Sequence, residues 1–513
     1  MKKVILTFIA VAFIGIFSCD DDFTTNPRLN VEDLGTYFLD EANVETAIIG
    51  IYDLMQHNYS RDWHSAYFVK LLPGDDANAA GGNSGDQQQL QDIDDYADVS
   101  SSNASIASIW DLYYRTIALS NLVIENIKDS SLGNKDTALA EAKFMRAWCY
   151  FELTTMFGDV PLRLTVPQGA EDFGIAKSTR AEIYNQVESD LVDAIAHLAD
   201  KSALADNFRV SKGTAEALMG KVLVFQEKYS DAIPFFQSVI SNAAHDLEPN
   251  PSDVWSINNE FGIESLFELG FVSTTARDWG NIAWGGRNES NLHIQLMGPR
   301  GDGIFDLTGT GLINGWGFNL PTAKLATAFD DAGDTVRKRA TLMTEAELIA
   351  AGGAVDPSAA TGGSIWDYEG AIRIKYATKA EDTSEGGVRE LNYSTNFRLF
   401  RYAEVLLLAA EAYNKAGQDS NARTELNKVR NRAGLADVSA TLAGNDLFEA
   451  IVDEKYLELS FEGQRFWDLV RWGKTSTELA GTGYTTTNDV FPIPITEIDK
   501  NSELTVADQN PGY

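Results

Sequence analysis

The chain has 513 residues, of which 75 are acidic and 41 are basic, so its formal net charge is −34 at pH 7. A protein this acidic repels nucleic acid and anionic surfaces at long range, which argues against nucleic-acid binding. Hydrophobic residues make up 44% of the chain, as in globular proteins. The length is too great for one simple core, so several domains or an extended repeat architecture is expected.

Residues 1–18 are predicted to be a lipoprotein signal peptide. Two lysines precede an apolar stretch from Val4 to Phe17, which as a helix is too short to cross a bilayer core of about 30 Å. Ser18 and Cys19 fit a lipoprotein cleavage box, in which Cys19 becomes the acylated N-terminus. Acyl chains would then anchor the protein to a membrane. An ordinary secreted protein with an incidental cysteine is the alternative.

Residues 19–30 are predicted to form a lipidated acidic tether. The three residues Asp20, Asp21 and Asp22 resemble the acidic signals that follow the lipidated cysteine in bacterial lipoproteins displayed on the outer face of the outer membrane. The alternative is a solvated tether that carries no localisation signal. Since Cys19 and Cys149 are the only cysteines, acylation of the first leaves no disulfide framework.

Helical patterns dominate residues from about 31 to 250. In "NVETAIIGIYDLMQ", Asn43 is placed as an N-cap ahead of an apolar face. The stretches "ASIWDLYYRTIALSNLVIENI" and "AEAKFMRAWCYFELTTMFGDVPL" repeat the pattern, and the second is expected to stop at Gly158. A helical scaffold is therefore predicted here and again over about 395–475.

Two segments match the interlocking pattern of tetratricopeptide repeats. One is "ALMGKVLVFQEKYSDAIPFFQSVI", where Gly220 is the small residue and Phe236 a large one. The other is "LLLAAEAYNKAGQDSNARTELNKV", where Ala410 and Leu426 take the same places. A small residue on one helix lets its partner approach, and a large residue fills the gap. The repeats lie about 190 residues apart, so the array is interrupted.

Residues from about 250 to 395 are predicted to be loops and short strands. "ESLFELGFV" alternates like a strand, and "MGPRGDGIFDLTGTGLINGWGFNLP" is rich in glycine. Binding residues usually lie in such loops on a rigid frame. Residues 490–513 include "FPIP" from Phe491 and are predicted to be an extended closing segment, since proline disfavours helix.

These cues together resemble the SusD-like (RagB/SusD) family of outer-membrane glycan-binding lipoproteins. The resemblance rests on "RAWCYFELTTMFGDVPL", "ESLFELGF", "LPTAKLATAFDDAGDTVRKR", "FRLFRYAEVLLLAAEAYNKAG", "LNKVRNRAGL", "IVDEKYLELSFEGQRFWDLVRWGK", "FPIPITEIDKN" and "QNPGY". It implies a mostly α-helical, SusD-like fold of interrupted tetratricopeptide-like repeats, with residues 31–513 as a single domain. The charges of the C-terminal block, such as Glu458 and Arg465, are expected to pair between packed helices.

No catalytic signature stands out. The five histidines lack HExxH spacing, and neither a GxSxG elbow nor a P-loop is present. Asp75 and Asp76 are adjacent, whereas a glycosidase needs facing carboxylates. We therefore predict a binding protein that is not an enzyme and has no cofactor. A surface lipoprotein hydrolase is an alternative, and the oxygen-rich stretches "GDDANAAGGNSGD" and "DDAGDT" are candidates for a structural Ca²⁺.

Tryptophans in loop-like sequence are the candidate ligand-binding residues. Sugars offer flat C–H faces edged by hydroxyl groups, so a binding site needs rigid aromatic plates with polar groups beside them. The resemblance places the site at about 60–105 and 273–318. Trp366 lies in strand-like sequence and is not included. The candidates are Trp63, Asp75, Asp76 and Asn78 on one side, and Trp279, Trp284, Arg287 and Trp316 on the other.

The resemblance also implies the function and the partner. We expect a cell-surface lipoprotein that captures an oligosaccharide or polysaccharide and passes it to a SusC-like TonB-dependent transporter in the outer membrane. The acidic chain favours a neutral glycan, although Arg277, Arg287 and Arg300 lie in the candidate region. A peptide receptor of the same fold, and a surface binder that delivers substrate to an enzyme, are the alternatives.

Overall fold

The computed structural model describes residues 34–273, 277–384 and 386–513. The predicted signal peptide, Cys19 and the acidic tether lie outside the described residues. The α-helices are α1 (Leu34–Tyr37), α2 (Glu41–Ser60), α3 (Ala66–Leu71), α4 (Gln88–Asp94), α5 (Ala104–Ile127), α6 (Lys135–Phe157), α7 (Arg180–His197), α8 (Lys212–Phe225), α9 (Tyr229–Ile240), α10 (Leu292–Met297), α11 (Ala323–Ala332), α12 (Thr335–Thr341), α13 (Glu345–Ala350), α14 (Tyr402–Lys415), α15 (Asp419–Arg432), α16 (Gly444–Glu458), α17 (Arg465–Trp472), α18 (Thr475–Glu478) and α19 (Ile495–Lys500).

Short strands pair two by two. They are β1 (Ala77–Ala80), β2 (Val160–Pro161), β3 (Lys177–Ser178), β4 (Ser265–Leu269), β5 (Phe305–Asp306), β6 (Phe318–Pro321), β7 (Leu342–Thr344), β8 (Ala354–Val355), β9 (Ala371–Arg373) and β10 (Phe397–Arg401). The antiparallel pairs are β1–β6, β2–β3, β4–β10, β5–β8 and β7–β9. The predicted mostly α-helical fold is confirmed. No helix in the described ranges is long and apolar enough to cross a membrane.

The N-terminal helices form where the apolar periodicity predicts them. Helix α2 begins three residues earlier than predicted, because the side chain of Asp40 accepts hydrogen bonds from the backbone N–H groups of Ala42 and Asn43. Asp40 is therefore the N-cap, and Asn43 lies within the helix. Helix α6 ends before Gly158, as predicted, and this glycine adopts a φ of +79°.

The two repeat-like segments are helix pairs that meet in space. Helix α8 packs against α9, α14 packs against α15, and α9 packs against α14. At the first pair, a Cβ atom on Gly220 would lie 2.4 Å from the buried ring of Phe236, so only glycine permits this approach. The array is thus interrupted in sequence but continuous in the folded protein.

The central region, about 250–395, is less purely loop and strand than predicted, because α10 to α13 lie within it. Its strand β6 pairs with β1, with Asn78 opposite Leu320 and Ala80 opposite Phe318. This pairing joins the segment after α3 to the glycine-rich segment near residue 316. It brings the two predicted halves of the binding site together.

Buried charges hold the C-terminal block to the rest of the scaffold, as predicted. Glu458 on α16 accepts hydrogen bonds from Arg337, Arg401 and Arg432, which come from three different elements. Burial alone would raise the pKa of Glu458, but the three guanidinium charges outweigh it and hold the pKa well below its ordinary value. Residues 490–513 contact the scaffold, since Phe491 N donates to Met156 O at 2.8 Å. Contrary to the prediction, they are not extended throughout, because α19 (Ile495–Lys500) lies within them.

Candidate functional site

Three loops carry the tryptophans that cluster at one site. Trp63 lies in a single 3₁₀ turn, Asp62–His64, between α2 and α3. Trp279 and Trp284 lie in the segment between β4 and α10, and Trp316 immediately precedes β6. The backbone N–H of Trp316 donates to Gln295 O on α10 at 3.0 Å. Helix α10 therefore fixes the position of Trp316.

The four indole rings are nearly parallel. The centroid of Trp63 lies 5.5 Å from that of Trp284 and 5.6 Å from that of Trp316, with interplanar angles of 15° and 20°. The rings of Trp284 and Trp316 are 5.7 Å apart, and those of Trp279 and Trp316 are 6.1 Å apart at 13°. Trp279 and Trp284 are 50% and 46% exposed, whereas Trp63 and Trp316 are half-buried. We call these four residues the tryptophan cluster.

A cavity of about 420 Å³ opens beside the tryptophan cluster. Trp63, Trp279 and Trp316 line it together with polar residues from several loops. The remaining lining residues are Asp86, Gln295, Arg300, Gly301, Asp302, Asn314, Gly315, Phe318 and Glu390. Aromatic plates with polar groups beside them are the combination that sugar binding needs.

The one arginine that lines the cavity is engaged by the protein. Arg300 Nη1 donates to Trp316 O at 3.1 Å and lies 3.7 Å from Asp86 Oδ2, while Nη2 lies 3.2 Å from Asp302 Oδ2. A Cβ on Gly317, which adopts a φ of +79°, would lie 2.8 Å from Arg300 Cβ. Arg300 therefore positions Trp316 and is not a free cation for an anionic ligand.

Among the residues that the structure describes, two buried polar atoms at the cavity have no hydrogen-bond partner. Gln295 is 2% exposed; its Nε2 donates to Asn314 O at 3.2 Å, but its Oε1 has no hydrogen-bond partner. The indole Nε1 of Trp63 is also buried without a partner. An unsatisfied buried polar group costs about 1–3 kcal/mol, so a ligand or water that bonds to either group would recover free energy.

Asp75 and Asp76 belong to the scaffold and do not line the cavity. Arg465 binds Asp75 through Nε at 2.8 Å and Nη2 at 3.1 Å, and Lys324 Nζ binds it at 2.7 Å. Asp76 Oδ2 accepts from Phe461 N at 2.6 Å. Both carboxylates are buried, because the loop after α3 packs against the C-terminal block. Their role is to fasten that loop in place.

Asn78 and Arg287 also lie away from the cavity lining. Asn78 Nδ2 donates to Asp367 O at 3.1 Å and to Glu369 Oε1 at 3.0 Å. Arg287 pairs with Asp53 on α2, which ties the segment that carries Trp284 to the helical scaffold. Of the eight predicted site residues, the structure brings together the four tryptophans.

Sequence reasoning did not single out Asp86, Gln295 and Glu390 as site residues. Asp86 lies in the quoted "GGNSGD" run, so its glycine-rich context was a usable signal. Gln295 is on a short buried helix, and Glu390 is in a 3₁₀ turn about 90 residues farther along the chain. No local pattern distinguishes these two from other polar residues.

Other cavities have a different chemistry. One of about 450 Å³ is lined by Arg209 and Glu141 among others, and one of about 620 Å³ lies beside Phe208 and Phe271. No tryptophan lines either of them. Across the described ranges, no three His, Cys, Asp or Glu side chains are grouped to hold a metal ion. Volume alone would favour the cavity beside Phe208 and Phe271, but the stacked indoles distinguish the cavity of about 420 Å³.

Comparisons with known proteins agree with this architecture. Residues 264–489 match the family model described as "SusD family", and residues 31–224 match the model described as "Starch-binding associating with outer membrane". The chain belongs to the SusD family. Its relatives include SusD-like protein P25 of Formosa agariphila, 26% identical over 99% of both chains. The starch-binding protein SusD of Bacteroides thetaiotaomicron is 24% identical over 83% of this chain and 82% of its own.

Solved SusD-family structures share the fold. A laminarin-binding SusD-like protein is 29% identical, with a TM-score of 0.82 over 92% of this chain and all of its own. Surface glycan-binding protein A of Bacteroides thetaiotaomicron, solved with laminarihexaose, is 23% identical with a TM-score of 0.77, over 92% of this chain and 99% of its own. The second similarity concerns the fold alone.

Proposed function

We propose that this SusD-family protein binds a neutral glucan chain at the tryptophan cluster and passes it to a transporter. The observation that carries the proposal is the set of four nearly parallel indoles beside a polar cavity of about 420 Å³. Each ring contact contributes about 1 kcal/mol. Each hydrogen bond adds a similar net amount, so two or three ring contacts together with several hydrogen bonds give an affinity in the micromolar to millimolar range, roughly −8 to −4 kcal/mol.

The charges at the cavity support a neutral ligand. Asp86, Asp302 and Glu390 line it, whereas Arg300 is engaged by Asp86, Asp302 and a backbone carbonyl. Arg287, a cation that on sequence alone argued against a preference for neutral ligands, pairs with Asp53. The net charge of −34 adds long-range repulsion of polyanions. Among neutral polymers, the name of the laminarin-binding relative makes laminarin the first candidate.

Delivery to a transporter completes the proposed function. Acylation of Cys19 would hold the protein at the outer face of the outer membrane, where binding concentrates a nutrient but does not import it. The matched description "Starch-binding associating with outer membrane" supports that location. A SusC-like TonB-dependent barrel is the proposed partner. Recovery of a stoichiometric barrel with the tagged protein from native membranes in mild detergent would support it, and repeated absence would contradict it.

Calorimetry with laminarin, and with a peptide pool as the alternative ligand, tests the binding function. Trp316→Ala removes the indole that stacks on three others, so we expect affinity for laminarin to fall about fivefold. The matched control is Trp366→Ala, because Trp366 lies outside the cavity lining and its Nε1 donates to Gln91. If only peptides bind, the ligand of this protein is a peptide and not a glycan. Shortening of laminarin by the purified protein would revive the hydrolase alternative.

A further inference from the structure

The polar lining of the cavity is dominated by hydrogen-bond acceptors. Gln295 has its Nε2 committed to Asn314 O, so the carbonyl Oε1 is the group that remains without a partner. This bond also fixes the orientation of the amide, because Nε2 has to face the carbonyl oxygen. Gln295 lines the cavity and is 2% exposed, so its Oε1 is shielded from bulk solvent.

Carboxylates supply the other free acceptors. Glu390 lines the cavity and forms no ion pair with any residue of the described ranges. Asp86 Oδ2 accepts from Gly82 N at 2.8 Å and lies 3.7 Å from Arg300, which leaves Oδ1 as an acceptor. Ionised carboxylates accept hydrogen bonds and donate none. The cavity thus holds several acceptors and no lysine.

We propose that Gln295, Asp86 and Glu390 form an acceptor subsite that binds hydroxyl groups of a neutral sugar and excludes acidic sugars. The proposal rests on the proposed function, and it adds the residues that determine specificity. A neutral sugar brings O–H donors to all three residues and lets its ring lie against the indoles. A uronic acid or a carboxymethylated sugar instead brings a carboxylate toward Asp86 and Glu390. Such a like-charge contact is unfavourable.

Two substitutions separate the acceptor role from the charge role. Gln295→Met keeps the length of the side chain and removes the amide, so affinity for laminarin should fall about tenfold. Glu390→Gln removes one charge and adds a donor. We expect it to lower the ratio of the affinity for laminarin to the affinity for carboxymethylated laminarin at least fivefold. The controls are Gln88→Met and Glu381→Gln, whose residues do not line the cavity.

Calorimetry with both polymers at low and high salt gives the readout. In the unaltered protein, high salt should reduce the preference for laminarin over its carboxymethylated form, because salt screens the exposed charges. The inference is overturned if Gln295→Met binds laminarin like the unaltered protein, or if Glu390→Gln keeps the full discrimination. In either case laminarin binding by the unaltered protein would leave the proposed function standing. If the unaltered protein does not bind laminarin, both the inference and the proposed function are overturned.

Discussion

Replacing Asp75 by asparagine distinguishes a structural carboxylate from a ligand contact. The sequence suggested Asp75 as a ligand-binding residue, whereas in the structure Arg465 binds it through two nitrogen atoms and Lys324 through a third. Burial would raise the pKa of Asp75, but the hydrogen bonds and charges of Arg465 and Lys324 outweigh it and hold the pKa below its ordinary value. The ionised form is therefore the one that stabilises the fold.

The structure sets the expected magnitude. Removing one partner of a buried ion pair costs about 3–5 kcal/mol. Glu478 Oε2 still binds both Arg465 at 3.2 Å and Lys324 at 2.9 Å, so we expect the lower end, about 3 kcal/mol. With an unfolding entropy of about 2.1 cal/mol/K per residue, the described chain loses about 3 °C of melting temperature.

Urea unfolding followed by tryptophan fluorescence and calorimetry with laminarin measure the two properties separately. Asp75→Asn should lower the free energy of unfolding and leave the affinity for laminarin unchanged well below the melting temperature. The control is Asp302→Asn at the exposed rim of the cavity, which should cost less than about 0.5 kcal/mol. A tenfold loss of affinity with unchanged stability would refute the structural role of Asp75.

Three other substitutions test the scaffold. Burial raises the pKa of the Asp76 carboxyl to about 6. Its contribution to the free energy of unfolding is therefore complete below about pH 4 and is lost as the pH rises through 6. Between pH 4 and pH 8, the free energy of unfolding of Asp76→Asn should rise by about 2 kcal/mol relative to that of the unaltered protein, as measured by urea titration. Gly220→Ala should lower the free energy of unfolding by about 1–3 kcal/mol, because the added Cβ would meet the ring of Phe236. Differential scanning calorimetry measures the change, and an unchanged melting temperature would contradict that packing. Glu458→Gln removes the carboxylate charge that three buried guanidinium groups share. We expect the free energy of unfolding to fall by at least about 3 kcal/mol, or the variant to fail to accumulate as soluble protein. A variant with the stability of the unaltered protein would contradict the ion network.

The helical scaffold and its repeats were predictable because their determinants are local. The apolar periodicity of α2, α5 and α6 and the small and large residues of the repeat-like pairs can be read from neighbouring positions. Even the boundary error at α2 is local, since Asp40 and Asn43 are both good N-caps and the structure uses the first. The short helices of the central region were missed because they are brief and flanked by loops.

Sequence alone predicted the fold class, the repeat segments, the ion pairing of the C-terminal block and the four tryptophans of the candidate binding site. Only the tertiary structure decided which polar residues accompany those tryptophans. The pairing of β1 with β6 brings Asp86 and Trp316 to one cavity, while the adjacent Asp75 turns toward Arg465 and is buried. Gln295 and Glu390 join the site from segments almost 100 residues apart. The physical reason is that periodicity and capping act within a few residues, whereas a binding cavity is built from long-range packing, which leaves no local pattern in the chain.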